Sequence, residues 1–584
     1  MHDTPLLVGL TGHRDLTDSS ARQAYESLSG FFSLLREKLP HTTVRLMTGL
    51  ADGADRLAAR AALDTGCSVQ AVLPMPVDLY EKDFTADSLH AFRQLLSREE
   101  VEVVEMSLPL DMTTEQAAIQ GASRDRLYGR LGDYLIERSS ILVALWDGKD
   151  NNLLGGTSDV VLRYLKAGGA GYSDGSEIRF LDKGEDGFQG SEFVYWIPVT
   201  RESGGEQPVS VGARSCYLSG NLGRGKLARR LEIPEELTEQ LVHLDAYNSQ
   251  YKDLVESGKF FTWGGLLEML PNKESHHQLP VLEAIDAEYQ KADGLALFNQ
   301  KYSDRQFKLF GYMAALMGLL FLLYAKIIAL KIFLIGYLAL FIVGFVMHRQ
   351  TARKQWFTNH LLQRVIAETL RTRFYLIIAG IDKRVDTDKL LDLFGINQFS
   401  GFSWIRHIFR SQQSLVSEHR GADEQENDVD FVCTAWLEDQ AEYFKSKIEK
   451  LSHHHHRLEK IKGSLLLASV VAVVLLILFK KLLVGTTLIG ALDLKTLVVF
   501  LMGLLPFWLG VWEIYQSKMA IKELLWQYRN QSNLFNHMST RIKYSRSIDE
   551  KRRILAELGE RSLTENYLWT IHRYHREHEP PTAG

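Results

Sequence analysis

Two pairs of apolar runs constrain the fold of this 584-residue chain more than any other feature. Leu309 to Ala325 and Ile332 to Met347 are separated only by the break from Lys326 to Lys331. Ser464 to Phe479 and Thr496 to Val511 form a second pair, joined by a segment carrying Lys480, Lys481, Asp493 and Lys495. Each run is near the lower limit of the roughly 17–25 residues that cross a bilayer. Side chains such as Tyr324 and Lys326 reach outward to cover the shortfall. Long, nearly uncharged stretches seldom occur twice in a soluble core, so the pattern implies two membrane hairpins, with a buried soluble hairpin as the alternative.

Average composition conceals these runs, since 24% of the residues are charged and mean hydropathy is only -0.11. A net charge of -5 gives no overall basic face for nucleic acid. Cys67, Cys216 and Cys433 have neither metal nor redox spacing, which suits a reducing compartment and excludes a disulfide framework. The start, MHDTPLLVGLTGHR, lacks a basic region followed by a long apolar stretch, so no signal peptide is expected and the first three hundred residues are expected in the cytoplasm.

The N-terminal part repeats one grammar. Leu6 to Leu10 is apolar, breaks into Thr11-Gly12-His13-Arg14, and leads into a helical segment from about Ser20 to Leu39. Val44 to Met47 is followed by Thr48-Gly49-Leu50-Ala51-Asp52-Gly53-Ala54-Asp55 and an Ala-rich helix. Ser68 to Leu73 ends at Pro74-Met75-Pro76; Ser140 to Leu145 ends at Trp146-Asp147-Gly148, before Gly155-Gly156-Thr157-Ser158-Asp159 opens another helix. Continuous apolar strands alternating with helices predict an α/β, Rossmann-like parallel sheet covered on both faces. Its strand C-termini would converge on one crevice, where glycine turns and helix N-termini suit an anion such as phosphate.

These residues resemble the SLOG superfamily over about residues 5 to 200: GLTGHR, TGLADGADRLAA, LPMP with Tyr80 and Asp83-Phe84, and LVALWDG followed by GGTSDVV. The resemblance implies a Rossmann-like domain for a nucleotide or nucleotide-derived ligand, lined by Gly12, His13, Arg14, Gly49, Asp52, Gly53, Asp55, Gly155, Gly156, Thr157 and Asp159, with no further cofactor. Some relatives are LOG-type phosphoribohydrolases with a Gly-Gly-x-Gly-Thr-x-x-Glu signature. Here the third glycine is missing and Asp159 lies two residues after Thr157. Asp159 is left with three roles: ligand contact, first-turn acid, or catalysis beside Arg14 or Arg126.

Each candidate has a plainer reading. His13 and Arg14 suit a phosphate or a surface turn paired with Asp15 or Asp18. Asp52 and Asp55 suit N-capping, Tyr80 and Phe84 suit helix-face packing, and Arg124, Arg126 and Arg130 a solvated basic face. Gly168 to Thr200, with its last strand at Phe193 to Val199, reads as an edge elaboration of the sheet.

The expected organisation is a nucleotide-binding domain at 1–200, a linker and helical connector at 201–284 that is irregular to about 235, and a two-span module at 285–410. A flexible acidic loop at 411–430, a second two-span module at 431–549 and a polar helical tail at 550–584 complete it. Ile285 to Phe310 is predicted to run as one helix into the first span. Basic residues Arg305, Lys308, His348, Arg349, Arg353 and Lys354 favour a cytoplasmic side for both ends of the first hairpin, whereas Lys326 and Lys331 oppose it. Pro506 is a candidate kink, and His453 to His456 lack the carboxylate or cysteine that would complete a metal site. Lys308-Leu309-Phe310-Gly311 and Lys460-Ile461-Lys462-Gly463 mark an internal repeat. With WLEDQAEYF and AETLRTRF, the long-helix, two-span arrangement resembles the SLATT class of bacterial conflict systems. That resemblance implies a homo-oligomeric, multi-pass effector of the bacterial inner membrane, its N-terminal domain and C-terminus cytoplasmic, that permeabilises the bilayer in antiphage defence. The alternatives are a membrane-anchored nucleotide N-glycosidase and a structural membrane protein that recruits a protein partner.

Overall fold

In the computed structural model, residues 2–109, 111–151, 153–167, 178–182, 192–203, 214–220, 226–271, 273, 279–381, 400–412, 422–489 and 492–578 are described. They fall into two compact units. One comprises Met1–Phe260, Leu270–Lys291 and Asp386–Arg420; the other comprises Phe261–Met269, Ala292–Val385 and Gly421–Gly584.

The first unit is built on a nine-stranded sheet. Its strands are β1 (Leu6–Gly12), β2 (Val44–Thr48), β3 (Ser68–Leu73), β4 (Val101–Glu105), β5 (Ile141–Trp146), β6 (Arg179–Asp182), β7 (Val194–Pro198), β8 (Cys216–Ser219) and β9 (Lys226–Arg230), in spatial order 4-3-2-1-5-7-8-9-6. Strands 4-3-2-1-5-7 are all parallel. The β7–β8 and β8–β9 pairings are antiparallel, so the sheet is mixed rather than wholly parallel. β1 is apolar from Leu6 to Leu10 and buried through Thr11, as suits a strand covered on both faces. Leu7, Met47, Val72, Leu131 and Leu135 pack in one core cluster, and Ala144, Trp146, Val161, Trp196 and Leu218 in another.

Three expectations change here. Phe193 to Val199 is no edge: β7 lies between β5 and β8. The stretch expected to be irregular up to about residue 235 contains β8 and β9, whose four or five residues are too short for a clear alternation. Of the acidic loop, Ala422–Val432 is helical, while 413–421 lies outside the described residues. His407 and Arg410 of the helix Ile405–Ser411 belong to the first unit: Arg410 Nη1 donates to Ser139 O (2.6 Å), and the buried Arg406 pairs with Glu192 (2.6 Å).

A second buried network joins the start of the sheet to the first turns of the helix Leu279–Leu322. Glu288 accepts hydrogen bonds from Thr4 Oγ1 (2.7 Å) and Tyr247 OH (2.8 Å) and meets His2 Nε2 at 2.8 Å. Lys291 Nζ donates to Thr4 Oγ1 (2.6 Å) and to Asn248 Oδ1, and lies 4.5 Å from the centre of the Tyr247 ring.

The second unit is helical. The single helix predicted to lead into the first span is present as Leu279–Leu322, continuing to Ile327. Lys331–Lys354, Asp439–Gly485 and Leu494–Met519 carry the other three apolar runs, the last passing through Pro506 without interruption. All four are long and apolar enough to cross a membrane, and at most 17% of any apolar window is buried within the protein. Small residues set their packing. Gly336 and Gly344 face Leu320 and Met313; Gly318 lies against Phe507, Gly503 against Leu322, and Trp508 Nε1 donates to Ala315 O (3.1 Å). Ala472 and Leu476 meet Val498 and Met502. Two joints are similar: Gln355 (φ 45°, ψ 37°) ends Lys331–Lys354 and Ala520 (φ 48°, ψ 43°) ends Leu494–Met519, and each precedes a helix of 23 residues, Trp356–Ile378 and Ile521–Lys543. The tail is the helix Ile548–His578. The four consecutive histidines lie in Asp439–Gly485, and no metal-holding cluster occurs among the described residues.

Candidate functional site

β1 lies at the point where the strand order reverses, with β2 on one side and β5 on the other. The crevice beyond the strand C-termini at such a switch is where ligands of this sheet class bind. The chain after β1 is pinned there, since His13 N donates to Leu145 O (3.1 Å) and Ala54 N to His13 O (3.1 Å). Gly12 lets the Ala54 methyl approach, and Gly53 (φ 74°) lets the backbone run against the Arg14 carbonyl. The first two glycine motifs therefore interlock into one corner. Leu50 adopts φ 52°, a left-handed conformation unusual outside glycine. Such strain recurs at ligand-binding sites.

Within this corner the two aspartates differ. Asp52 is taken up by Arg56 Nη1 (2.7 Å) and Ser88 Oγ (2.6 Å), on the outer side of the helix Ala54–Asp64. Asp55 turns toward Gly49, and its Oδ2 accepts from Ala51 N (3.2 Å). Burial pushes the Asp55 carboxyl up to about 6, against the opposing pull of the Ala51 N–H, the Arg14 charge and the Thr48 hydroxyl.

Arg14 is exposed, and its guanidinium lies 4.9 Å from the centre of the Tyr128 ring. The ring is fixed from behind. Tyr128 OH donates to Asp83 Oδ2 (2.6 Å), and Arg124 Nη2 donates to Asp83 Oδ1 (2.9 Å). Arg124 is thus a buried structural cation rather than part of a solvated face, because Asp83 and the Leu79 carbonyl hold it. Burial drives the Tyr128 phenol up to about 12, so it remains a neutral donor. Tyr80 is buried, packs edge-on against Phe84 at 4.9 Å and donates to Gly49 O (3.0 Å). Its role is packing. Asp15 pairs with Arg201 (2.9 Å).

On the β5 side, His13 Nε2 meets Asp147 Oδ1 at 3.1 Å. Burial alone would raise the Asp147 carboxyl, but His13 and the Lys149 N–H together hold it below its ordinary value. Asp147 was not among the sequence candidates; the signal for it is its place as the first polar residue after β5, one step past His13 in the β1–β5 register.

The last glycine motif serves chain crossing. Gly155 (φ 72°) passes so close to the helix Ala122–Arg138 that a Cβ would fall 2.8 Å from Gly129 N. Gly156 precedes the helix Thr157–Tyr164, in which Thr157 is buried. Asp159 is 0% exposed at its side chain; it accepts from Gly155 N (2.9 Å) and pairs with Arg163 (3.1 Å). Arg126 is exposed and pairs with Asp111 (2.7 Å) rather than joining Arg14. The structure thus brings together Gly12, His13, Arg14, Gly49, Gly53 and Asp55, and adds Tyr128 and Asp147. Asp52 and Asp159 are engaged by protein. The exposed guanidinium, flanked by an aromatic face, can hold an anion beside a flat ring. No protein-family model, curated protein or solved structure matches the chain.

Proposed function

We propose that this chain is a membrane effector that senses a nucleotide-derived signal through its N-terminal sheet domain and permeabilises the bacterial inner membrane, in the manner of a SLOG sensor joined to SLATT-type modules. The observation that carries the reading is the Arg14–Tyr128 pair at the switch point of the sheet, in a chain that also holds four membrane-long apolar helices. A phosphate is drawn to Arg14, and a base or sugar to the Tyr128 face. Asp159 weighs against the N-glycosidase alternative, because a catalytic carboxylate must reach substrate or water, and this one is enclosed and already bonded.

The topology is supported by two contacts. Residues on both sides of the first hairpin share the first unit, as two spans that return to the side they left would require. Thr369, beyond the second span, meets Tyr567, beyond the fourth, at 2.9 Å. The matching joints at Gln355 and Ala520 support an internal repeat of hairpins. Basic residues flanking these ends favour the cytoplasm for both the sheet domain and the C-terminus. Ligand binding acts by favouring one arrangement of the assembled homo-oligomer over another.

The test uses the full chain in dye-loaded liposomes, incubated with dinucleotides, cyclic nucleotides and ADP-ribose derivatives. Mass spectrometry identifies what is bound or released. One intact ligand that also triggers leakage is the expected result. Free base and ribose phosphate would replace the sensor with an enzyme, and neither binding nor turnover would leave a partner-recruiting membrane protein.

A further inference from the structure

One short segment before the first span belongs to the helical unit although the chain on either side of it does not. Phe261–Met269 lies between Phe260 and Leu270, both of which are in the sheet unit. The root of this finger is fixed. Lys259 N (2.9 Å) and Phe260 N (3.1 Å) both donate to Leu254 O near the end of the helix Glu235–Glu256, and the Phe260 ring stands edge-on to Tyr251 of that helix at 5.0 Å. Lys291 Nζ lies 5.2 Å from the centre of the same Tyr251 ring, so the root adjoins the buried network that holds the first turns of Leu279–Leu322.

At the tip, the single turn Leu267–Met269 meets Tyr375. Tyr375 is buried; its hydroxyl lies 3.8 Å from Met269 Sδ and donates to Ala435 O (3.3 Å), and its ring stacks on Trp436 at 5.6 Å with 9° between the planes. Ala435 and Trp436 sit in a wide, π-helical turn, Cys433–Glu438, within the continuous helical stretch Asn427–Lys481 that carries the third span. Such turns are rare and are frequent at functional sites. This one sets the rotation of all that follows. An α-helical turn in its place would rotate the helix Asp439–Gly485 by about 100°, and Leu451 and Leu458 would leave the cluster they form with Trp512, Ile521 and Leu525.

We propose that Phe261–Met269 is a catch: through Met269 and Tyr375 the sheet unit holds the π-turn, and with it the rotational seat of the third span against the fourth. The helices of the first and third spans are then both tied to the sheet unit, Leu279–Leu322 by its own first turns and Asp439–Gly485 through the catch. The inference deepens the proposed function by naming a restraint on the spans; it rests on that reading for the leak alone, and on nothing about the ligand.

The full chain is placed in nanodiscs of phosphatidylethanolamine and phosphatidylglycerol with no ligand, and backbone hydrogen exchange is followed by mass spectrometry. Tyr375→Phe keeps the stacked ring and removes the hydroxyl. Exchange across residues 433–443 should quicken about 2- to 10-fold, the range of one ordinary hydrogen bond. Met269→Ala should quicken the same amides, and the double variant should go no further than Tyr375→Phe alone, since both act through one hydroxyl. Tyr544→Phe, at a ring 82% exposed, should change nothing. In dye-loaded liposomes of the same lipids, both single variants should leak several-fold faster than the parent. Unchanged exchange in Tyr375→Phe, or a Met269→Ala effect that is absent or adds to it, overturns the catch. Quickened exchange with no leak from any variant supports the catch and counts against the permeabilising function instead.

Discussion

Substituting Lys291 by Met tests whether the buried network at the start of the sheet holds the first turns of Leu279–Leu322. Glu288 is 0% exposed and Lys291 1% exposed, and against the effect of burial the Lys291 charge helps hold the Glu288 carboxyl below its ordinary value without touching it. Removing the ammonium therefore leaves a buried carboxylate less compensated, in a setting where loss of a direct partner costs about 3–5 kcal/mol. Three donors remain to Glu288, from His2, Thr4 and Tyr247, which places the cost near the lower figure, about 3 kcal/mol. For a unit of somewhat over 300 residues that corresponds to a fall in melting temperature of roughly 4–5 °C. The assay is thermal unfolding of the full chain in nanodiscs, followed by limited proteolysis of the segment after Glu256. Adding Glu288→Gln to Lys291→Met should restore about 2 kcal/mol, since the stranded charge is gone. A double variant as unstable as the sum of the two singles would refute the argument, because the two groups would then not be coupled.

The other expectations concern the crevice and the joints. Asp55, with a folded value of about 6 against an ordinary 3.8, binds its proton more tightly in the folded state; that contribution is complete below about pH 4 and is lost as pH rises through 6. A phosphate-bearing ligand beside Arg14 should therefore bind several-fold more tightly at pH 5.5 than at 7.5 by calorimetry, and Asp55→Asn should flatten the profile. Arg14→Ala should weaken the same ligand by about 10- to 100-fold, as expected for a charge-assisted contact, with no change in melting temperature. Ala520 is the best helix former in a conformation L-residues disfavour; Ala520→Gly should raise stability by about 0.5–1 kcal/mol and Ala520→Val lower it, read as melting temperature.

Continuous apolar strands and glycine turns were legible in the sequence because burial on both faces leaves a compositional trace, as β1, β2, β3 and β5 bear out. β4 was not, because an edge strand needs only one buried residue: in Val-Glu-Val-Val-Glu that is Val101. β8 and β9 were hidden by their brevity. At the site, His13, Arg14 and Asp55 were legible from their place after a strand. The burial of Arg124 and the enclosure of Asp159 were not, since each depends on a partner, Asp83 or Arg163, whose approach is decided by tertiary packing. The helix Ile405–Ser411, expected at the end of the first two-span module, belongs instead to the first unit, and only Glu192 and the Ser139 carbonyl, far away in sequence, explain its burial.

The leak required by the proposed function has a character that follows from the spans themselves. No Asp, Glu, Lys or Arg occurs within the four apolar runs Leu309 to Ala325, Ile332 to Met347, Ser464 to Phe479 and Thr496 to Val511. A selective ion path needs charged rings or ordered carbonyls to replace an ion's hydration shell, and intramembrane ionisable residues are where such paths are marked. The contacts between the first and fourth spans are instead Gly318 against Phe507 and Gly503 against Leu322, with a single hydrogen bond from Trp508 Nε1 to Ala315 O among the described contacts, so loosening them opens mainly apolar packing rather than a polar lumen. The expected leak is therefore unselective. In planar bilayers with the full chain and its activating ligand under a potassium chloride gradient, the reversal potential should lie close to zero, with cations and anions passing alike. A reversal potential near the potassium or the chloride equilibrium value would refute this, and would require a charged or carbonyl-lined path supplied by residues outside the four apolar runs.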